Sequence, residues 1–147
     1  MRVNGEWLSC EDEVIRPTVQ GTVLLADGQR LEVSFLLDAG ADRTVFSARF
    51  LRRLQSLEKP ELEPILLSGV GGAASSITVE TMISFVRDDG RLVTVRGQFG
   101  VFTEGESAEL SVLGRDVTNN FSVIYDYPRH TVALLSPPHF YEIKKTS

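Results

Sequence analysis

The stretch LLDAGADRTVFS at residues 36–47 decides how this chain is interpreted. An apolar run ends in the carboxylate of Asp38, and the small residues Ala39, Gly40 and Ala41 follow it. Carboxylates are rarely buried in proteins unless they are paired or take part in chemistry. The small residues leave room for another stretch of backbone, or another chain, to come close. The stretch therefore predicts a functional acid on a tight turn at the end of a buried strand.

Length and composition fit one globular domain. The chain has 147 residues, of which 42% are hydrophobic and 24% charged, so it can bury a core. The net charge of -5 argues against a nucleic-acid partner. No apolar stretch approaches the roughly 18 residues of a membrane span, and the N-terminus lacks a signal-type segment. The single cysteine, Cys10, cannot form an intrachain disulfide. We expect a soluble, cytoplasmic protein with no nucleic-acid or membrane partner.

Strand patterns outnumber helical ones along the chain. Asp-Gly pairs at 27–28 and 89–90 are hairpin signals. A serine-capped helix is predicted over 47–57, and a short helical turn near 119–120. The predicted fold class is all-β, a closed or folded-over barrel with one or two short helices. The expected strands are 18–25, 30–37, 44–46, 65–67, 77–79, 81–86, 92–102, 121–127 and 131–135.

The two Asp-Gly hairpins belong to an internal repeat. Residues 23–33 are similar to residues 83–93, because each segment is a strand, an Asp-Gly turn and a strand. Each is followed by an apolar run into a glycine-containing turn, at 38–40 and 113–115. The repeat predicts two copies of one motif packed about a pseudo-two-fold axis.

Three segments, in this order, resemble the motifs of the retropepsin-like aspartic proteases. Residues 37–45 resemble the family's Asp-Thr/Ser-Gly-Ala turn, and residues 112–116 resemble its apolar-apolar-Gly-Arg-Asp/Asn motif. Between them, a glycine-rich hairpin lies where the family has its flap, and the resemblance covers about residues 17–135. The flap residues that it implies are Gly69, Val70, Gly71 and Gly72.

The resemblance implies an aspartic endopeptidase that works as a homodimer on peptide or protein substrates. Each subunit would supply one Asp38, and the two carboxyl groups would share a proton. The ionised member would activate a water for attack on the peptide carbonyl. Neither a metal nor an organic cofactor is needed for this chemistry. The two histidines, His130 and His139, are too few to suggest a metal site.

Other residues take supporting roles by the same resemblance. Asp42 and Arg115 match positions that form an ion pair bracing the active-site turn, for which the planar guanidinium is well suited. Gly40 would let the turn approach its copy in the second subunit. Asp116 would cap the helix that follows it.

The chain departs from the family pattern at Ala39. The family has Thr or Ser there, and that hydroxyl bonds across the dimer axis. The alanine predicts a weaker dimer or a looser dyad, and it motivates one alternative, a catalytically silent module for dimerisation or peptide binding. A further alternative is an unrelated β-barrel adaptor with a surface Asp38. The expected division is an N-terminal arm at 1–16, a retropepsin-like domain at 17–136 and a tail at 137–147.

Overall fold

The structure, a computed structural model, describes residues 1–60, 67–69, 72–105 and 109–146. Strands dominate these residues and the two α-helices are single turns, α1 (Leu51–Leu54) and α2 (Arg115–Thr118). The predicted all-β class is confirmed. The strands are β1 (Arg2–Asn4), β2 (Glu6–Ser9), β3 (Ile15–Leu24), β4 (Arg30–Leu37), β5 (Val45–Phe46), β6 (Leu67–Gly69), β7 (Gly72–Ala74), β8 (Ser76–Val86), β9 (Leu92–Phe102), β10 (Ser111–Leu113), β11 (Ser122–Asp126) and β12 (Thr131–Leu135).

Among the described residues, six strands close into a ring in the order β3-β4-β10-β5-β9-β8. β8 pairs back onto β3, with Ser84 opposite Thr22 and Ile83 opposite Val23. β2 pairs with the first half of β3. Closure leaves the ring without a free edge for unwanted pairing, and it agrees with the predicted barrel.

The order of strands around the ring has two-fold symmetry. The hairpins β3–β4 and β8–β9 meet through their first strands. The second strand of each hairpin pairs in parallel with a short strand, β4 with β10 and β9 with β5, and these short strands pair with each other. This is the two-fold order that the internal repeat predicts.

A second sheet lies beside the barrel, and it pairs the first strand of the chain with the last two. Its order is β1-β12-β11, so β11 is at an edge. Val3, Leu134 and Val123 lie opposite one another across the three strands, and this face packs against the core. The hairpin β6–β7 is separate from both sheets.

Aromatic packing in the barrel fixes where the Asp38 turn begins. The ring of Phe35 lies 5.7 Å from that of Phe46 and 6.4 Å from that of Phe85, measured between centroids. All three side chains are fully buried. Burial alternates along β4, as period-2 strand geometry requires. Leu37 is the last buried residue of that pattern, so Asp38 leaves the barrel at a defined point.

The predicted helix over residues 47–57 forms in three short pieces. A 3-10 turn (Ala48–Phe50), α1 and a second 3-10 turn (Gln55–Leu57) follow one another. Ser47 caps the first piece, since its hydroxyl oxygen accepts from the Arg49 N–H. A segment this short is not a stable helix by itself. Packing of the buried Leu54 holds it against the core instead.

The predicted hairpin tip at residues 68–76 is too wide. The strands β6 and β7 extend to Gly69 and from Gly72, and β8 begins at Ser76 rather than at residue 77. Residues 65 and 66 of the predicted first strand lie outside the described residues. No helix in the described part of the chain is long and apolar enough to cross a membrane. The division into arm, domain and tail stays a prediction.

Candidate active site

The Asp38 turn begins where β4 and β10 end side by side. The two strands run parallel, with Leu37 beside Leu113. The Asp38 N–H donates to the carbonyl oxygen of Leu113 over 3.2 Å. The ladder thus continues one residue past the strands. It fixes the backbone that carries the Asp38 carboxylate, and this side chain is half-buried.

The Asp38 carboxylate is held by its own turn. Its Oδ1 accepts a hydrogen bond from the Gly40 N–H over 2.9 Å. The Ala41 N–H donates to the Asp38 carbonyl oxygen over 3.1 Å. A Cβ at position 40 would lie 3.2 Å from Oδ1, closer than most side chains approach. Ala39 and Gly40 are exposed, so the turn presents a surface of small residues to solvent.

Arg115, at the start of α2, binds the turn from behind. Its guanidinium forms an ion pair with the Asp42 carboxylate and donates to the Ala39 carbonyl oxygen over 2.6 Å. Its backbone N–H donates to the Ala41 carbonyl oxygen over 2.8 Å. The structure therefore brings Asp42 and Arg115 together, as a brace requires. Both side chains are exposed, so the geometry matters more than the energy of the ion pair.

A second set of contacts ties the far end of the turn to α2. Thr44, which is fully buried, donates its N–H and its hydroxyl to the Asp116 carboxylate, over 3.0 and 2.7 Å. The Thr44 hydroxyl oxygen accepts in turn from the Gly114 N–H over 3.0 Å. A Cβ on Gly114 would lie 2.4 Å from the Arg43 carbonyl carbon. Only glycine allows this close approach of two backbones.

The predicted helix cap at Asp116 is wrong. Gly114 occupies the N-cap position of α2, and no side chain caps this helix. The prediction was made because acidic residues near the start of a helix commonly cap it through local hydrogen bonds. The side chain instead serves Thr44, which is 72 residues away in the chain. No local pattern signals a partner at that separation.

Tyr125 on β11 is a neighbour of Asp38 that the sequence did not reveal. Burial raises the pKa of the Tyr125 phenol, and the negative charge of Asp38 raises it further. The Tyr125 ring lies 6.3 Å from that of Trp7, which packs edge-on against Tyr127 at 5.0 Å. Tyr125 thus packs within an aromatic cluster with Trp7 and Tyr127, and its phenol responds to the charge of Asp38.

The predicted flap residues are only partly described. Gly69 pairs with Gly72 across the antiparallel hairpin β6–β7, while Val70 and Gly71 lie outside the described residues. The hairpin leads into β8, whose first residue pairs with Phe102. The structure gives the hairpin and its position in the chain.

The acids around Asp38 already have partners. Asp42 is paired with Arg115, and Asp116 accepts both hydrogen bonds from Thr44. Neither is available to form a carboxyl pair with Asp38. Among the described residues, no group of three or more histidine, cysteine or acidic side chains is placed to hold a metal ion.

The barrel with its doubled hairpin, and the turn fixed between β4 and β10, define a retropepsin-like fold. Comparison with solved structures supports this. The retroviral protease-like domain of Ddi1 from Leishmania major matches with a TM-score of 0.52 and 17% identity, over 82% of this chain and 94% of that one. At this identity the likeness shows the fold.

A second solved structure with the same kind of fold also matches. It is a retropepsin-like aspartic protease from Rickettsia conorii, with a TM-score of 0.49 and 16% identity, over 91% of this chain and 88% of that one. Neither a protein-family model nor a curated protein matches the sequence.

Proposed function

We propose that the chain is an aspartic endopeptidase that acts as a homodimer, with Asp38 from each subunit forming a catalytic dyad. The Asp38 turn supports this most directly. Its carboxylate is half-buried, accepts from the Gly40 N–H, and sits on a turn that Arg115 holds from behind. Asp42 and Asp116, the acids that contact this turn or its partners in the described part of the chain, are engaged elsewhere, which supports a second carboxyl group from another copy.

The chemistry follows from two carboxyl groups a few ångströms apart. They do not both ionise, so one is charged and the other protonated. The ionised group accepts a proton from a bound water, whose oxygen attacks the peptide carbonyl carbon. The protonated group donates to the oxyanion that forms. The C–N bond then breaks as the nitrogen takes up a proton, which releases a carboxylic acid and an amine.

The edge strand β11 supplies a surface for the second copy. Within the described chain it pairs on one side only, with β12. Edge strands are templates for pairing with another chain. Burial and then the negative charge of Asp38 raise the pKa of Tyr125 on this strand. In the proposed dimer two copies join through β11, with their Asp38 turns facing each other.

Substrate would bind in extended form between the Asp38 turn and the hairpin β6–β7. Such peptides are bound through their backbone, with alternate side chains in pockets. The glycines that flank the tip, Gly69 and Gly72, suit a hairpin that moves as the peptide enters, and Val70 and Gly71 between them would complete the flap. Closure of the flap would exclude water other than the attacking molecule.

Hydrolysis of a degenerate peptide library tests the role of Asp38. The library is incubated at about pH 4 to about pH 7 with the protein, with Asp38→Asn and with a matched control, Asp27→Asn. Asp27 also accepts from the N–H two residues ahead, that of Gln29, at 2.9 Å, so its replacement perturbs a turn of similar geometry. We expect cleavage by the protein and the control, and none by Asp38→Asn.

Two results would contradict the proposal. Cleavage that survives in Asp38→Asn removes this residue from the chemistry. Peptide binding without cleavage by the unmodified protein identifies a silent binding module instead, which the lack of a hydroxyl at Ala39 motivates.

Sedimentation velocity tests the dimer. Ile124 is the middle residue of β11, and antiparallel pairing of two β11 strands centred on this residue places the two Ile124 residues opposite each other. Ile124→Lys would then set two like charges together. We expect this variant to be a monomer, whereas Val86→Lys, at an exposed strand position of β8, stays dimeric. Identical behaviour of the two variants contradicts pairing through β11.

A further inference from the structure

A groove of about 390 Å³ opens beside the Asp38 turn, starting at Arg43. Arg43 is exposed and lies between Asp42 and the buried Thr44, so its backbone position is fixed on both sides. The rest of the groove is formed by the first half of β9 and its neighbours. Its other lining residues are Glu80, Val95, Arg96, Gly97, Gln98, Phe99 and Asp116.

Two arginines and two acids line the groove, and among the described residues no ion pair joins these arginines to these acids. The Asp116 carboxylate accepts two hydrogen bonds from Thr44, and Glu80 pairs with Lys59 at 3.7 Å. Among the residues that the structure describes, no carboxylate contacts the guanidinium of Arg43 or Arg96. Arg96 donates only to the sulfur of Met82, over 3.6 Å. Two cationic groups are therefore left available on one surface.

We propose that Arg43 and Arg96 bind an acidic side chain of the peptide substrate. The inference rests on the proposed function, and it adds a preference that the chemistry at Asp38 does not require. A guanidinium binds a carboxylate through two parallel N–H donors, which gives direction as well as attraction. The groove lies beside the Asp38 turn and not on it. The acidic residue of the peptide is therefore not one of the two residues joined by the bond that is cut. The half-buried Val95 gives the groove an apolar wall that accommodates the methylene groups of this acidic residue.

The size of the effect follows from the exposure of both arginines. Ion pairs in solvent are weak, and two of them acting together favour Glu over Gln by about 3- to 10-fold in affinity. Salt screens such pairs, so the preference falls as ionic strength rises. The neutral analogue Gln has nearly the same shape, and the Glu-to-Gln ratio therefore isolates the charge.

Fluorescence anisotropy with labelled peptides tests the inference without turnover. Fluorescein-labelled peptide pools carry Glu or Gln at one fixed position, scanned along the peptide, and are titrated into protein with the Asp38→Asn substitution. We expect Glu to be preferred at a single position. The preference disappears with Arg43→Gln or Arg96→Gln and remains with Arg91→Gln, an arginine in the β8–β9 turn. With Arg43→Glu it inverts toward Lys.

The outcomes separate this inference from the proposed function. Equal affinity for the Glu and Gln pools at every position, a preference that survives in the Arg43→Gln, Arg96→Gln double variant, or no peptide binding at all would each overturn it. Cleavage is measured independently on protein that retains Asp38. A charge preference without cleavage removes the endopeptidase and keeps the groove, whereas cleavage without a preference does the reverse.

Discussion

The guanidinium of Arg115 donates to the backbone carbonyl oxygen of Ala39 over 2.6 Å. The same side chain pairs with Asp42, so one planar group spans both ends of the small-residue turn. Ala39 lacks the hydroxyl that the resemblance predicts at this position. In this chain the turn is held through its backbone from within the subunit.

Replacing Arg115 by Lys should reduce peptide cleavage much more than it reduces the free energy of unfolding. Lysine keeps the charge but cannot span the Ala39 carbonyl and the Asp42 carboxylate together. Because the pair is exposed, the free energy of unfolding should fall by about 1 kcal/mol or less. Peptide cleavage should fall by about tenfold or more, since catalysis is sensitive to small displacements of the reacting groups. Urea unfolding and kcat/KM provide the two measurements, with Arg91→Lys as the control. If kcat/KM falls no more than the small loss of unfolding free energy explains, the Arg115–Asp42 ion pair does not position Asp38.

Thr44→Val should destabilise the barrel more than Thr44→Ser. Valine matches the shape of Thr44 but leaves the Gly114 N–H and one Asp116 oxygen without their buried partner. This costs about 1–3 kcal/mol. Serine keeps the hydroxyl and loses one methyl group, at about 1 kcal/mol. Urea unfolding of the two variants gives the comparison. If Thr44→Ser is the less stable, packing rather than the hydrogen bonds governs this position.

Tyr125 should titrate with a pKa above 10.0 and respond to Asp38. Its pKa is raised from 10.0, first by burial and then by the Asp38 charge. The folded state thus holds the phenolic proton more tightly than the unfolded state. The free energy of unfolding should therefore fall as pH rises above 10.0. Ultraviolet absorbance, taken as the difference from Tyr125→Phe, follows this one phenol.

The substitution Asp38→Asn provides the matching control for that titration. Removing the negative charge should lower the Tyr125 pKa and leave the part due to burial. An unchanged titration would place the phenol too far from Asp38 for the two to interact.

Ala39→Ser should tighten the proposed dimer. A hydroxyl at this exposed position could bond across the two-fold axis twice, once from each subunit. Two such bonds are worth about 1–3 kcal/mol, which lowers the dimer dissociation constant by about 5- to 150-fold. Sedimentation equilibrium measures this constant, and Ala26→Ser, at an exposed turn position of the β3–β4 hairpin, is the control. An identical shift in both variants would contradict a contact between the two turns.

Local patterns in the sequence predicted the longer strands and the Asp38 turn, but not the short strands β1, β2, β7 and β10, and they divided β8 into two strands. β4 was predicted with its observed bounds because its apolar alternation and the Asp-Gly turn before it are both local signals. The internal repeat predicted the two-fold order of the ring. The helix at 47–57 was predicted as one piece, because its apolar periodicity shows which residues face the core but not that the segment breaks into three short turns.

Contacts across long sequence separations were the part that could not be predicted. β10 inserts beside β4 from more than seventy residues away, and this pairing aligns Gly114 with the turn. The hydrogen bonds between Asp116 and Thr44 depend on this pairing of β4 with β10. The effect of Asp38 on Tyr125 depends on the second sheet, which carries β11. Each contact joins two elements whose own sequence patterns do not indicate the other. The candidate residue Asp38 was visible in the sequence, and its surroundings were not.

The pairing of β1 with β12 has a mechanical consequence. The two strands are antiparallel neighbours, and the Ser136 N–H donates to the Met1 carbonyl oxygen, so both lead out at one end of the sheet. Tension applied through these points peels β1 from β12 one residue pair at a time. Under such a load, β1 is therefore the first strand of this sheet to separate.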